Sequence, residues 1–137
     1  MIVVDTGAML ALIDKGDRDH ARLREIYDDD PDAWLLPWAI LPEVDYLLAT
    51  QLGPKAQDAW LADVADGAFS IEWGRDDDLA AAQKIHAKYR ALGLGLVDAI
   101  VIATAERLKP EAIATLDLRH FGAVTIKGAP RLLPRDR

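Results

Sequence analysis

Four carboxylates are spaced along this chain so that one fold could bring them together: Asp5, Glu43, Asp98 and Asp117. Asp98 is the most telling. It is the only charge in Leu96-Val97-Asp98-Ala99-Ile100-Val101-Ile102-Ala103. A helix apolar on every side is a buried helix, and a carboxylate inside one must meet donors or a cation. The simpler reading is a first-turn aspartate satisfied by helix N–H groups, with Gly95 just upstream. Asp5 follows Ile2-Val3-Val4, and Asp117 follows Ala112-Ile113-Ala114-Thr115-Leu116. Both runs read as short buried strands, so each aspartate ends a strand. Asp117 alone could be a turn residue bonding its own backbone. Glu43 alone could be the glutamate favoured in any first helical turn.

Their joint placement carries more. Strand ends, and the starts of helices that follow strands, share one edge of an α/β sheet. Like charges gathered there repel and raise one another's pKa, and a hard divalent cation removes that cost. Oxygen ligands without cysteine favour Mg²⁺ or Mn²⁺ over Zn²⁺. Such a site activates water for in-line phosphodiester cleavage.

The elements must deliver these residues. After the first strand the spacing predicts a helix over 7–14, with Thr6 able to cap it, and a second over 18–28 capped by Asp17. A strand starts at Trp34 and ends near Pro37. Pro42 suits the first turn of a helix running to about 52, and another helix covers 55–65. A strand over 69–73 precedes a helix over about 77–92. The Gly93-Leu94-Gly95 break leads into the apolar helix over 96–108. Strands over 112–116 and 124–126 follow, and about 128–137 reads as an irregular basic tail. Strands alternating with helices imply a parallel sheet with helices on both faces.

Composition sets the outer limits. The chain has 137 residues, 51% hydrophobic, with no cysteine. That suits one globular domain over 1–137 and excludes disulfides and thiolate chemistry. No apolar run reaches the length of a membrane span, and the first residues lack a signal peptide's basic region, so a cytoplasmic protein is expected. The net charge of −7 argues against nonspecific nucleic-acid binding by overall field. Charge is uneven, though: residues 107–137 hold seven basic residues against three acidic. Any polyanion surface must be local. His20 and His86 are expected on exposed helical faces. Trp34, Trp38, Trp60 and Trp73 are expected in the core or at a partner interface rather than as base-stacking platforms. The aspartate runs at 28–32 and 76–78 read as a solvated loop and a favourable helix N-terminus.

Asp5-Thr6 closing the first strand, then Glu43, Asp98-Ala99 and Thr115-Leu116-Asp117-Leu118-Arg119-His120-Phe121 together resemble the PIN domain. Order, spacing and size look most like the VapC toxins of VapBC toxin–antitoxin pairs. The resemblance covers nearly the whole chain. It implies an α/β/α sandwich with a parallel five-stranded sheet flanked by helices. It implies an Mg²⁺-dependent endoribonuclease, with Mn²⁺ able to substitute, acting as a homodimer on RNA and silenced by a VapB-like antitoxin. By resemblance Asp5 and Asp98 are direct metal ligands. Glu43 and Asp117 act through water, hold a second ion or orient the attacking water. Thr6 and Thr115 support the site. Many members carry Asp where this chain has His120, which leaves metal ligation unaffected. Arg119, Lys127 and Arg131 are candidates for a local phosphate surface, and an apolar groove including residues of 45–61 for antitoxin docking. The competing readings are an inactive PIN-like scaffold, an aspartic protease on the strength of Asp5-Thr6-Gly7, and a haloacid-dehalogenase-like phosphotransferase. The protease fold is all-β, and the phosphotransferase needs an aspartate where Gly7 stands.

Overall fold

A computed structural model describes residues 1–137. Its strands are β1 (Ile2–Val4), β2 (Trp34–Pro37), β3 (Ser70–Glu72), β4 (Ala112–Ala114) and β5 (Arg131–Leu133). Its α-helices are α1 (Thr6–Ile13), α2 (His20–Asp29), α3 (Ile40–Gln51), α4 (Pro54–Ala65), α5 (Asp76–Lys88), α6 (Gly95–Leu108) and α7 (Leu118–Phe121). All strand pairs are parallel, in the order β3-β2-β1-β4-β5. Ile2 stands opposite Trp34 on one side and Ala112 on the other. A parallel sheet covered on both faces needs strands apolar throughout. Val3, Val4, Leu36 and Ile113 are accordingly fully buried. The chain leaves β1 toward β2 and β3, and later returns on β1's other side to lay down β4 and β5. The strand order reverses there, so a crevice opens outside the carboxyl ends of β1 and β4.

Helix α6 packs against β1 and β2 on its inner side and α5 on its outer side. That explains its all-round apolar sequence: Ala99 to Ala105 is buried without interruption. One polar clamp fastens the pair. Arg107 of α6 donates from Nε to Asp78 Oδ1 at 2.9 Å and from Nη2 to Glu72 Oε1 at 2.9 Å. No helix is long and apolar enough to cross a membrane.

The fifth strand is not where the pattern placed it. Residues 124–126 are irregular, although Val124 and Ile126 are buried. Side chains take up backbone N–H groups of this stretch: Tyr89 Oη accepts from Thr125 N at 3.1 Å, and Glu106 Oε2 accepts from Lys127 N at 2.8 Å. The supposed tail forms β5 instead, because its backbone completes the ladder beside β4. Arg131 N donates to Glu111 O and Thr115 N to Leu133 O.

Local starts also differ. Asp5, not Thr6, caps α1 by accepting from Ala8 N at 2.8 Å. Asp17 accepts from Asp19 N inside a turn, and α2 starts at His20 with no side-chain cap. Helix α3 begins at Ile40, so Pro42 is its third residue, where the missing N–H is one that no helix bond would use. His20 is half-buried with Nδ1 2.9 Å from Ala11 O, and His86 is also half-buried, so neither is an exposed surface residue.

Candidate metal centre

The site grows from two strand ends. Asp5 leaves β1 and is buried, with Oδ1 held by Ala8 N and Oδ2 accepting from the Thr115 hydroxyl. Thr115 is itself fixed by its own N–H on Leu133 O at 2.9 Å. Its Oγ1 also accepts from Asp117 N at 3.0 Å. One threonine thus ties the ends of β1 and β4 together, steadied by β5. Asp117 then caps α7 through His120 N at 3.1 Å. That turn swings the His120 ring back: Nδ1 lies 2.8 Å from Asp117 Oδ2 and 3.4 Å from Asp98 Oδ2. Asp98 enters from the first turn of α6, and Glu43, half-buried, from the first turn of α3.

These charges sit badly with one another. Burial pushes the Asp5 carboxyl up to about 7, against the Thr115 and Ala8 hydrogen bonds and with help from Asp98 and Asp117. Burial and the Asp117 charge push Asp98 up to about 6, which His120 partly offsets and Glu43 reinforces. Asp5, Asp98 and Asp117 therefore gather at the switch-point crevice, tied through Thr115 and His120, and Glu43 acts on them through the charge it exerts on Asp98. Of the two supporting threonines, Thr115 bonds both strand-end aspartates, whereas Thr6 Oγ1 is buried without a partner.

A divalent cation fits this donor set. Ligand atoms of Asp98, Asp117 and His120 lie within 4.8 Å of one another. One buried polar atom at this edge, Thr6 Oγ1, lacks a hydrogen-bond partner. The donors are carboxylate oxygens and one imidazole nitrogen, with no thiolate. PIN domains depend on divalent metal in general, and an acidic cluster able to hold one is present here.

His120 is the residue that sequence reasoning undervalued. The histidine that stands where many members carry Asp lies between two of the acids, with its Nδ1 near both. The signal was available: Asp117 and His120 are three residues apart, and on a helical turn such residues share a face. The phosphate-surface trio is not brought together. Arg119 is exposed on α7 beside the site. Lys127 binds Glu106, eight residues along α6 from Asp98 and so roughly 12 Å away. Arg131 pairs with Ala112 at the amino edge of the sheet, opposite the crevice. Of the tryptophans, Trp34 and Trp60 are core, and Trp73 is 73% exposed.

The family model for the PIN domain matches residues 2–127. The chain is 35% identical over 130 residues to Ribonuclease VapC26 of Mycobacterium tuberculosis, covering 95% of this chain and 96% of that protein. The crystal structure of M. tuberculosis VapC20, described as a sarcin-ricin loop cleaving toxin, superposes with a TM-score of 0.82 at 22% identity, covering 95% of this chain and 99% of that one. FitAcB from Neisseria gonorrhoeae gives a TM-score of 0.68 at 17% identity, covering 96% of each chain. At those identities the two structures show a shared fold.

Proposed function

From the premise that this chain belongs to the PIN-domain family, we infer that it is an endoribonuclease and the toxin of a VapBC-type toxin–antitoxin pair. The observation that carries the reading is the gathering of Asp5, Asp98 and Asp117 at one sheet edge, with Glu43 acting on Asp98, in a chain related over nearly its full length to a named ribonuclease. We assign the metal as Mg²⁺, with Mn²⁺ able to replace it. When bound, such an ion supplies Lewis-acid polarisation of a phosphodiester oxygen and an activated water. Asp5 and Asp98 would hold it directly, and Glu43 and Asp117 would act through its water ligands or orient the nucleophile; of these, Asp98 and Asp117 share with His120 ligand atoms within 4.8 Å of one another. His120 bridges the Asp98 and Asp117 carboxylates. Thr115 fixes Asp5, and Thr6 offers a free hydroxyl at the same edge.

The wider reading is one PIN-like domain over residues 1–137, working in the cytoplasm as a homodimer and silenced by a VapB-like antitoxin. The cavity of about 560 Å³ lined mainly by apolar residues, Leu12, Ile13, Tyr27, Ala56 and Trp60 among them, and flanked by Lys15, Arg24 and Asp63, suits an amphipathic antitoxin helix. It lies between α1, α2 and α4, and so takes in only the later part of the stretch expected from sequence.

The deciding experiment is incubation of total cellular RNA with purified protein in Mg²⁺, in Mn²⁺ and in chelator, beside Asp98→Asn. Discrete fragments that need metal, and that fall at least about 100-fold in the variant, are expected, since even outer-shell changes at metal sites cost 10–100-fold. Cleavage that persists in chelator or in Asp98→Asn would refute the assignment.

A further inference from the structure

An RNA substrate must approach a protein of net charge −7, so its phosphates need a local positive surface at the site. Lys127 and Arg131 lie too far from the crevice to provide it. A cleft of about 330 Å³ has the right position. One wall is the site's own: Thr115, whose hydroxyl holds Asp5, with Leu116 and Leu118 on either side of Asp117. The opposite wall carries Arg18, Arg22 and Arg135. These arginines come from the α1–α2 connection, from α2 and from the turn after β5, so only the folded chain assembles them.

We propose that this arginine-walled cleft is a docking track for the RNA sugar–phosphate backbone beside the metal centre. The inference rests on the ribonuclease reading and adds where the substrate lies. The guanidinium groups keep donors to spare. Arg18 is 94% exposed and meets only Asp19, at 3.7 Å. Arg22 donates one bond, to Pro134 O at 3.2 Å, and its other contact is Asp19 at 3.8 Å. That bond clips α2 to the C-terminal turn and sets the two arginine-bearing arms at a fixed separation. Arg135 spends two of its five donors on Asp136. Asp19 is the only acid lining the cleft. Guanidinium forks match phosphate oxygens, and no aromatic ring lines this cavity on which a base could stack. Recognition here is of the backbone and is indifferent to sequence.

A second basic cavity gives the contrast. It carries Lys84, Lys88 and Lys127 but is lined by none of the site's residues.

The test uses full-length protein and two fluorescein-labelled single-stranded oligoribonucleotides of unlike sequence, each about twelve nucleotides long, a length within the known range of single-strand sites. Binding is followed by anisotropy in chelator across a salt series. For single strands each lost phosphate contact flattens the log–log salt slope by about 0.7. Arg18→Gln should therefore lower the slope by about 0.7, and Arg18→Gln/Arg135→Gln by about 1.4, equally on both RNAs. Lys84→Gln/Lys88→Gln, which removes the same charge elsewhere, should leave it unchanged. With Mn²⁺ present, the arginine variants should raise KM several-fold while kcat and Mn²⁺ affinity, read by electron paramagnetic resonance, stay as in wild type. Arg18 makes no hydrogen bond, so its variant separates the effect from misfolding. Equal losses in the arginine and lysine variants, a loss on only one RNA, or no binding by wild type would each overturn the proposal. If instead the slopes shift as expected but no RNA is cleaved with metal, the ribonuclease reading fails while the phosphate track stands.

Discussion

Asp5 has a hydrogen bond on each oxygen and is still pushed up to about 7, because burial outweighs both bonds. An unfolded aspartate titrates near 3.8. The folded state therefore holds this proton more tightly than the unfolded one. The resulting stability is complete below about pH 4 and is lost as pH rises toward 7. At roughly 1.4 kcal/mol per unit, the loss across that window reaches about 4 kcal/mol for metal-free protein. Thermal melts in chelator should show Tm falling as pH rises from about 5 to 8. Asp5→Asn should flatten that fall, and Mg²⁺ should oppose it in wild type by taking the proton's place. A melt that rises with pH in chelator, or is unaffected by Asp5→Asn, would show that Asp5 does not carry this charge cost.

At the scale of elements, the Arg107 clamp sets how α6 sits, and α6 is what delivers Asp98. Asp78 is buried and held below the usual carboxylate range by Arg107 despite its desolvation. Arg107→Ala would leave that carboxylate buried and unpaired. Removing one partner of a buried pair costs about 3–5 kcal/mol, and partial exposure of the guanidinium places this one near 3 kcal/mol. Urea denaturation should show that loss as a lower midpoint at unchanged slope. Asp78→Asn/Arg107→Met, which removes both charges, should recover much of it. The hydrogen bonds of Thr115 work at the same scale: they join β1, β4 and the start of α7, so the crevice is braced before any ion arrives.

For the whole molecule, the sheet order places the site. Reversal of strand order between β1 and β4 leaves an opening that helices do not cover, and the carboxylates line it. The last strand completes that architecture. Leu132 and Leu133 are buried, and Leu133 O receives the Thr115 N–H. A chain ending after Lys127 would lose both leucines, worth about 1.5–3 kcal/mol each, from a total stability that is ordinarily about 5–15 kcal/mol. It should give a broad, weakly cooperative urea transition and no metal-dependent rise in Tm. Retention of a sharp transition would mean that β4 tolerates being an edge.

Much of this was legible in the residues themselves. Apolar runs ending in Asp5 and Asp117, and a lone aspartate opening an apolar helix, determine a parallel α/β fold with carboxylates at one edge, because burial leaves such groups few other places. What sequence could not decide was anything that depends on distant segments choosing partners. Val124-Thr125-Ile126 reads as the last strand and the segment after it as an irregular tail, until the ladder beside β4 accepts Arg131-Leu132-Leu133 instead. His120 has no assigned role in the sequence until α7 turns its ring between Asp98 and Asp117. Arg18, Arg22 and Arg135 lie at opposite ends of the chain, and no local pattern links them. Hydrophobic periodicity is a local property and was readable; convergence of charge is a property of the packed chain, and only the tertiary structure fixed it.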